Sequence, residues 1–184
     1  MTAADIMGTV CDRLVGGVMF HLEHADLCEW AGVHWLYELH REGYEHDSKC
    51  LRKMRHLCVH HLGTFATEGR QERSHLLDAY KQTKKWELKA DIRKTVIHDA
   101  MRDWVDWEDG TVTVLTSACK RLSDAGFLLL SDKVRDVIKD TSDELAEARE
   151  LLSQMDAVCW DMSHILEMQD RDRKSGSAGM PRPI

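Results

Sequence analysis

Glu108 and Glu144 stand at equal distances from Gly126 along the chain, each inside a long run with apolar residues at helical spacing. A chain that reverses at Gly126 brings the two carboxylates level with each other, with Glu147 one turn beyond Glu144. A second polar set, His21, His24, His40, His46 and Asp47, falls on or beside positions that a helical core ordinarily gives to apolar residues. Carboxylates combined with one or two imidazoles form a hard, anionic donor set. Such a set suits iron or manganese and leaves coordination positions open to dioxygen or peroxide. The candidate metal ligands are therefore Glu108, Glu144, His24, Asp47, His21, His46 and Glu147. Two plainer arrangements use the same residues: glutamates that flank an apolar stripe and face solvent, and buried histidines satisfied by a neighbouring carboxylate.

Four helices must position these groups. Ile6, Val10, Leu14, Val18, His21, Ala25 and Cys28 predict a helix over 3–28, with Thr2 as N-cap and Asp5 in the first turn. The pair Gly16-Gly17 inside it marks close approach by a neighbouring helix. A break at Gly32 leads into a second helix carrying Leu36, His40, Asp47, Leu51, Met54 and Cys58, which ends at Gly63. Reversal there sets His21 opposite His40 and His24 opposite Glu38, although a kinked continuous helix fits the same pattern. Residues 64–90 are polar and weakly patterned, with a short helix expected over Arg70–Lys81. A connection of that length lets the helices on either side run parallel. A third helix is expected from Asp91 to Ala125, unbroken across Asp109-Gly110 because the 3.6-residue phase is kept. A fourth enters through Ser131-Asp132 and continues to Leu166. Past Gln169 the apolar period stops, so 170–184 reads as a disordered tail behind a single domain over 1–169.

Composition agrees with this outline and removes several function classes. With 43% hydrophobic and 31% charged residues over 184 positions, the chain can bury a core without disulfides. Residues 1–180 contain no proline, which favours long helices. A net charge of −7 disfavours general nucleic-acid binding, and the basic stretch Lys49–Arg55 reads as one solvated helix face. Neither an export signal nor a spanning run is visible, so a cytoplasmic location is expected. The six cysteines lack zinc-type spacing and read as buried free thiols, and the six tryptophans read as packing. No Gly-rich phosphate loop or nucleophile elbow appears.

The two hairpins, the long 64–90 connection, Glu108 opposite Glu144, and His21/His24 ahead of an acidic second helix together resemble the ferritin-like superfamily, in the broad sense that includes the starvation-induced DNA-protection ferritins. Trp107-Glu108, Asp143-Glu144-Leu145 and Trp160-Asp161-Met162 are also similar to stretches of small helical proteins from phage and prophage genomes. The resemblance implies an all-α, ferritin-like four-helix bundle, an iron or manganese site that handles metal or peroxide, and oligomeric assembly. Two departures limit it. Glu144-Leu-Ala-Glu147 offers a glutamate where the family has histidine, and Glu42 precedes His46 by four residues where the family has three. Two other classes stay open: a metal-free helical adaptor that binds a protein partner, and a nucleotide-hydrolysing bundle that holds magnesium on its acids.

Overall fold

The computed structural model of the chain describes residues 2–64 and 90–168, and these are helical with no strand among them. Helix α1 spans Ala3–Ala31, α2 His34–Leu62, α3 Ala90–Asp124 and α4 Leu128–Ala157. A short helical segment, 162–168, follows α4. The expected helix over Arg70–Lys81 and the tail 170–184 lie outside the described residues.

Local chemistry sets the helix ends. Thr2 and Asp5 form a reciprocal capping box: the Asp5 backbone N–H donates to Thr2 Oγ1 at 3.2 Å, and the Thr2 N–H donates to Asp5 Oδ2 at 2.7 Å. Gly32 ends α1 at φ 77° and Gly126 follows α3 at φ 82°, a left-handed backbone that glycine adopts without a Cβ penalty. The chain therefore reverses at both points, and the kinked-helix alternative at Gly32 is set aside. Helix α3 runs unbroken across Asp109-Gly110, as its phase predicts.

Helix α4 departs from its expected bounds at both ends. It begins at Leu128, with Phe127 as N-cap, and not at Ser131-Asp132. It stops at Ala157, because Cys159 and Trp160 take left-handed conformations at φ 52° and 57°. The interruption is held from three sides: Lys94 Nζ donates to the Cys159 carbonyl at 2.9 Å, Trp160 Nε1 donates to Asp156 Oδ1 at 2.7 Å, and Trp35 Nε1 donates to the Ile165 carbonyl at 2.9 Å. An apolar period at Met162 and Ile165 carries no information about such a break. Cys159 is also exposed, which corrects the reading of all six cysteines as buried.

Packing orders the four long helices. Helices α1 and α2 pair closely, as do α3 and α4; α1 also packs on α3, while α2 and α4 touch much less. Residues near the start of α1 meet the second half of α3, as in Arg13 with Thr111 and in the cleft that Ile6 shares with Ala118 and Arg121. His46 and Lys53 of α2 approach Asp140 and Asp136 of α4 in reverse order. Every adjacent pair is thus antiparallel, and the chain leaves α2 at the opposite end from where it starts α3. The apolar core falls into two clusters. One, around Met7, Leu14, Met54, Leu115 and Val134, lies toward the Gly126 end. The other, around Leu27, Leu36, Ile97, Met101 and Met155, lies toward the Gly32 end. Between them sits a layer of buried polar groups.

Candidate metal centre

All four helices contribute to that layer. Helix α1 supplies His21 and His24, α2 supplies His40 and Asp47, and α3 supplies Glu108, each under 10% exposed. Glu144 of α4 closes the layer with its side chain 23% exposed. Polar side chains can occupy a helix interior only if close helix approach and mutual partners offset their desolvation. Two glycines permit that approach. The face of the His21 ring lies against Gly43, where an added Cβ would fall 2.7 Å from Cε1. The Asp47 carboxylate lies against Gly17, where an added Cβ would overlap it outright. Each helix thus gives up a side chain where the other inserts a polar one. Next to Gly17, Gly16 admits Trp107, whose ring stacks on Phe20 at 5.0 Å and carries the Arg13 guanidinium 3.6 Å from its centroid. Arg13 also donates to the Trp107 carbonyl and to Thr111 Oγ1, both at 2.8 Å, and so anchors α3 one residue from Glu108.

Donor atoms of His21, Glu108 and Glu144 lie within 4.8 Å of one another. His21 Nε2 and Glu108 Oε1 form a buried ion pair at 3.4 Å, and neither atom has a further hydrogen-bond partner among the described residues. The other ring nitrogen of His21 faces His40 Nδ1 at 3.1 Å, as expected from reversal at Gly32. Electrostatics in the layer are strained toward positive charge. Burial, followed by the nearby carboxylates of Glu108 and Glu144, outweighs His21 and His46 and pushes the Asp47 pKa up to about 7. Burial works against a proton on His21, but Glu108, Asp47 and Glu144 carry its pKa above the ordinary value. His40 is held well below that value by burial and then by His24 and His21, which leaves it neutral.

The structure brings together some of the expected residues and separates others. His21, Glu108 and Glu144 converge, with Asp47 beside them. His24 is buried but turns away: Nδ1 meets the Phe20 carbonyl at 3.0 Å and Nε2 lies 3.0 Å from Asp103 Oδ2. Glu147 is exposed. It stands with Glu42 at the opening of a cleft of about 240 Å³ that reaches His21, His46 and Glu144 between α2 and α4. His46 lies at the edge of the layer, with Nδ1 3.0 Å from Glu144 Oε1. Its other neighbours, Cys50 and Asp140, were not among the residues expected at a site. The four-residue spacing of His46 and Cys50 on one helix is a signal for Cys50, and no sequence signal points to Asp140.

The chain matches no known family model and no curated protein. No described helix is long and apolar enough to cross a membrane.

Proposed function

We propose that this chain is a ferritin-like four-helix bundle that holds a divalent metal ion, iron or manganese, among His21, Glu108 and Glu144, and that it serves metal handling or oxidation. One observation carries the reading. His21 Nε2 and Glu108 Oε1 form a buried ion pair across 3.4 Å, with no other hydrogen-bond partner for either atom among the described residues and with Glu144 in reach. A buried imidazolium–carboxylate pair carries a desolvation cost, and a cation in place of its proton would bind both donors. Asp47 supports the same reading, because a carboxyl that burial and two glutamates keep protonated is one that a cation would ionise. A bound iron or manganese would supply open coordination positions for dioxygen or peroxide. The protein's share is to hold the donors in a largely buried layer and to admit small solutes through the α2–α4 cleft.

Anaerobic titration with ferrous iron and with manganese tests this reading. The purified protein should take up one ion per chain, and Glu108→Gln, nearly the same shape without the charge, should weaken binding by more than about 100-fold. Occupancy below about one tenth of an ion per chain after reconstitution would remove the proposal.

A second reading, a metal-free interaction module, draws on Phe127, Leu128 and Leu129. These consecutive side chains at the Gly126 turn are 40%, 62% and 49% exposed. If they form a contact between copies, sedimentation should show a dimer or larger species that Leu128→Asp converts to monomer. A monomer at all concentrations for the unaltered chain would count against it.

A further inference from the structure

On the α4-facing side of α2, His46 holds its two ring nitrogens in different company. Nδ1 lies 3.0 Å from Glu144 Oε1. Nε2 lies 3.5 Å from Cys50 Sγ and 3.4 Å from Asp140 Oδ2. One nitrogen therefore faces both a thiol and a carboxylate, although it can present only one N–H. From these contacts we infer a second cation site, made by His46 Nε2, Cys50 Sγ and Asp140, for a borderline-soft divalent ion of the zinc type.

Three features of the geometry carry this. First, the donor atoms lie within 4.8 Å of one another. Second, the two edges that meet at Nε2, 3.5 Å to sulfur and 3.4 Å to oxygen, match the chemistry. With metal–sulfur near ~2.3 Å and metal–nitrogen or metal–oxygen near ~2.0–2.1 Å, tetrahedral angles place N and S about 3.5–3.6 Å apart and N and O about 3.3–3.4 Å apart. Third, Glu144 is in place to hold the proton on Nδ1 while the ion displaces the one on Nε2, an outer carboxylate that orients a histidine ligand. Cys50 and His46 are one helical turn apart on α2, so the two donors come from a single rigid element and only Asp140 is added from α4. Cys50 is 7% exposed, which shields the sulfur, whereas Asp140 is half exposed and leaves a route for the ion. The fourth position falls to water.

A thiolate separates this site from the first by metal preference. Sulfur selects zinc-like ions over iron or manganese held by oxygen and nitrogen alone. Binding forms bonds from the ion to Sγ, Nε2 and a carboxylate oxygen; the thiol proton, and any proton on Nε2, pass to solvent. The site does not depend on the His21–Glu108–Glu144 centre being loaded, although Glu144 touches both.

Cobalt(II), a spectroscopic stand-in for zinc, tests the inference on the full chain. The unaltered protein should bind it with a sulfur-to-cobalt charge-transfer band and the strong visible absorption of tetrahedral cobalt, and added zinc should bleach both. Cys50→Ser should abolish the charge-transfer band while the helical circular dichroism is kept. Asp140→Asn should retain the band and weaken cobalt binding by about tenfold or more. Cys28→Ser, in the apolar cluster at the Gly32 end, should leave band and affinity unchanged, and Glu108→Gln, in the first centre, should leave the band in place. Absence of the band in the unaltered protein overturns the inference, and so does its survival in Cys50→Ser. Loss of the band in Glu108→Gln would overturn a separate second site.

Discussion

Gly43→Ala should destabilise the protein by about 1–3 kcal/mol, although helix propensity alone would make the same change stabilising by about 1 kcal/mol. The new methyl group would meet three atoms of the His21 ring at 2.7–2.9 Å. That ring has little freedom to retreat: it is buried, with His40 at 3.1 Å on one nitrogen and Glu108 at 3.4 Å on the other. Gly17→Ala should act alike from the opposite side by pressing on the Asp47 carboxylate. The displaced side chains are those of the candidate metal centre, so both variants should also lose metal binding in proportion. Urea denaturation of the metal-free proteins decides the matter. A midpoint equal to or above that of the unaltered chain would mean that the two helices can separate freely, and the account of the polar layer would fail.

Much of this layer was legible from chain reversal alone. Gly32 and Gly126 end helices, and a residue's distance from either turn gives its partner across the hairpin. His21 meets His40 in this way. Glu108 and Glu144 come within reach of each other by the same arithmetic. Gly16-Gly17 announced a close approach, and Trp107 and Asp47 make it. What stayed hidden depends on contacts between hairpins. No turn sets the register of α2 against α4, because the two helices are not consecutive in the chain. Cys50 therefore reads as an ordinary buried thiol, and nothing in the sequence places it or Asp140 beside His46. His24 misled for a related reason. Its position faces the core, yet its ring is stacked on Phe20 at 3.8 Å and points to Asp103, a rotamer choice that spacing does not record. The early start of α4 and its break at Cys159 were invisible for a third reason: both turn on single backbone conformations, and periodicity is silent about those.

The polar layer also dictates how the metal-free protein responds to pH. Asp47 keeps a proton in the folded chain up to about pH 7, whereas the unfolded chain loses it near 3.8. Its contribution to stability is therefore complete below 3.8 and is lost as pH rises through 7. His21 and His46 act in the same direction at higher pH. Glu108, Asp47 and Glu144 raise His21 against the effect of burial, and Cys50 and Glu144 raise His46 to about 11. Both contributions are complete below the ordinary histidine value of 6.5 and drain away above it. His40 has the opposite sign: its depressed pKa stabilises the fold above 6.5 and costs stability as pH falls below it. Below 6.5 Asp47 and His40 oppose each other, while above it the remaining groups all lose. Stability should thus fall between pH 6.5 and roughly pH 9, by on the order of 3 kcal/mol once the 28% exposure of His46 is allowed for. Asp47→Asn removes one participant without changing its shape. Relative to the unaltered chain it should gain about 1 kcal/mol between roughly pH 6 and pH 8, read as a widening difference in urea midpoint. A constant difference would show that Asp47 is ionised throughout that range. A protonated Asp47 would then no longer support the case for a cation in the layer.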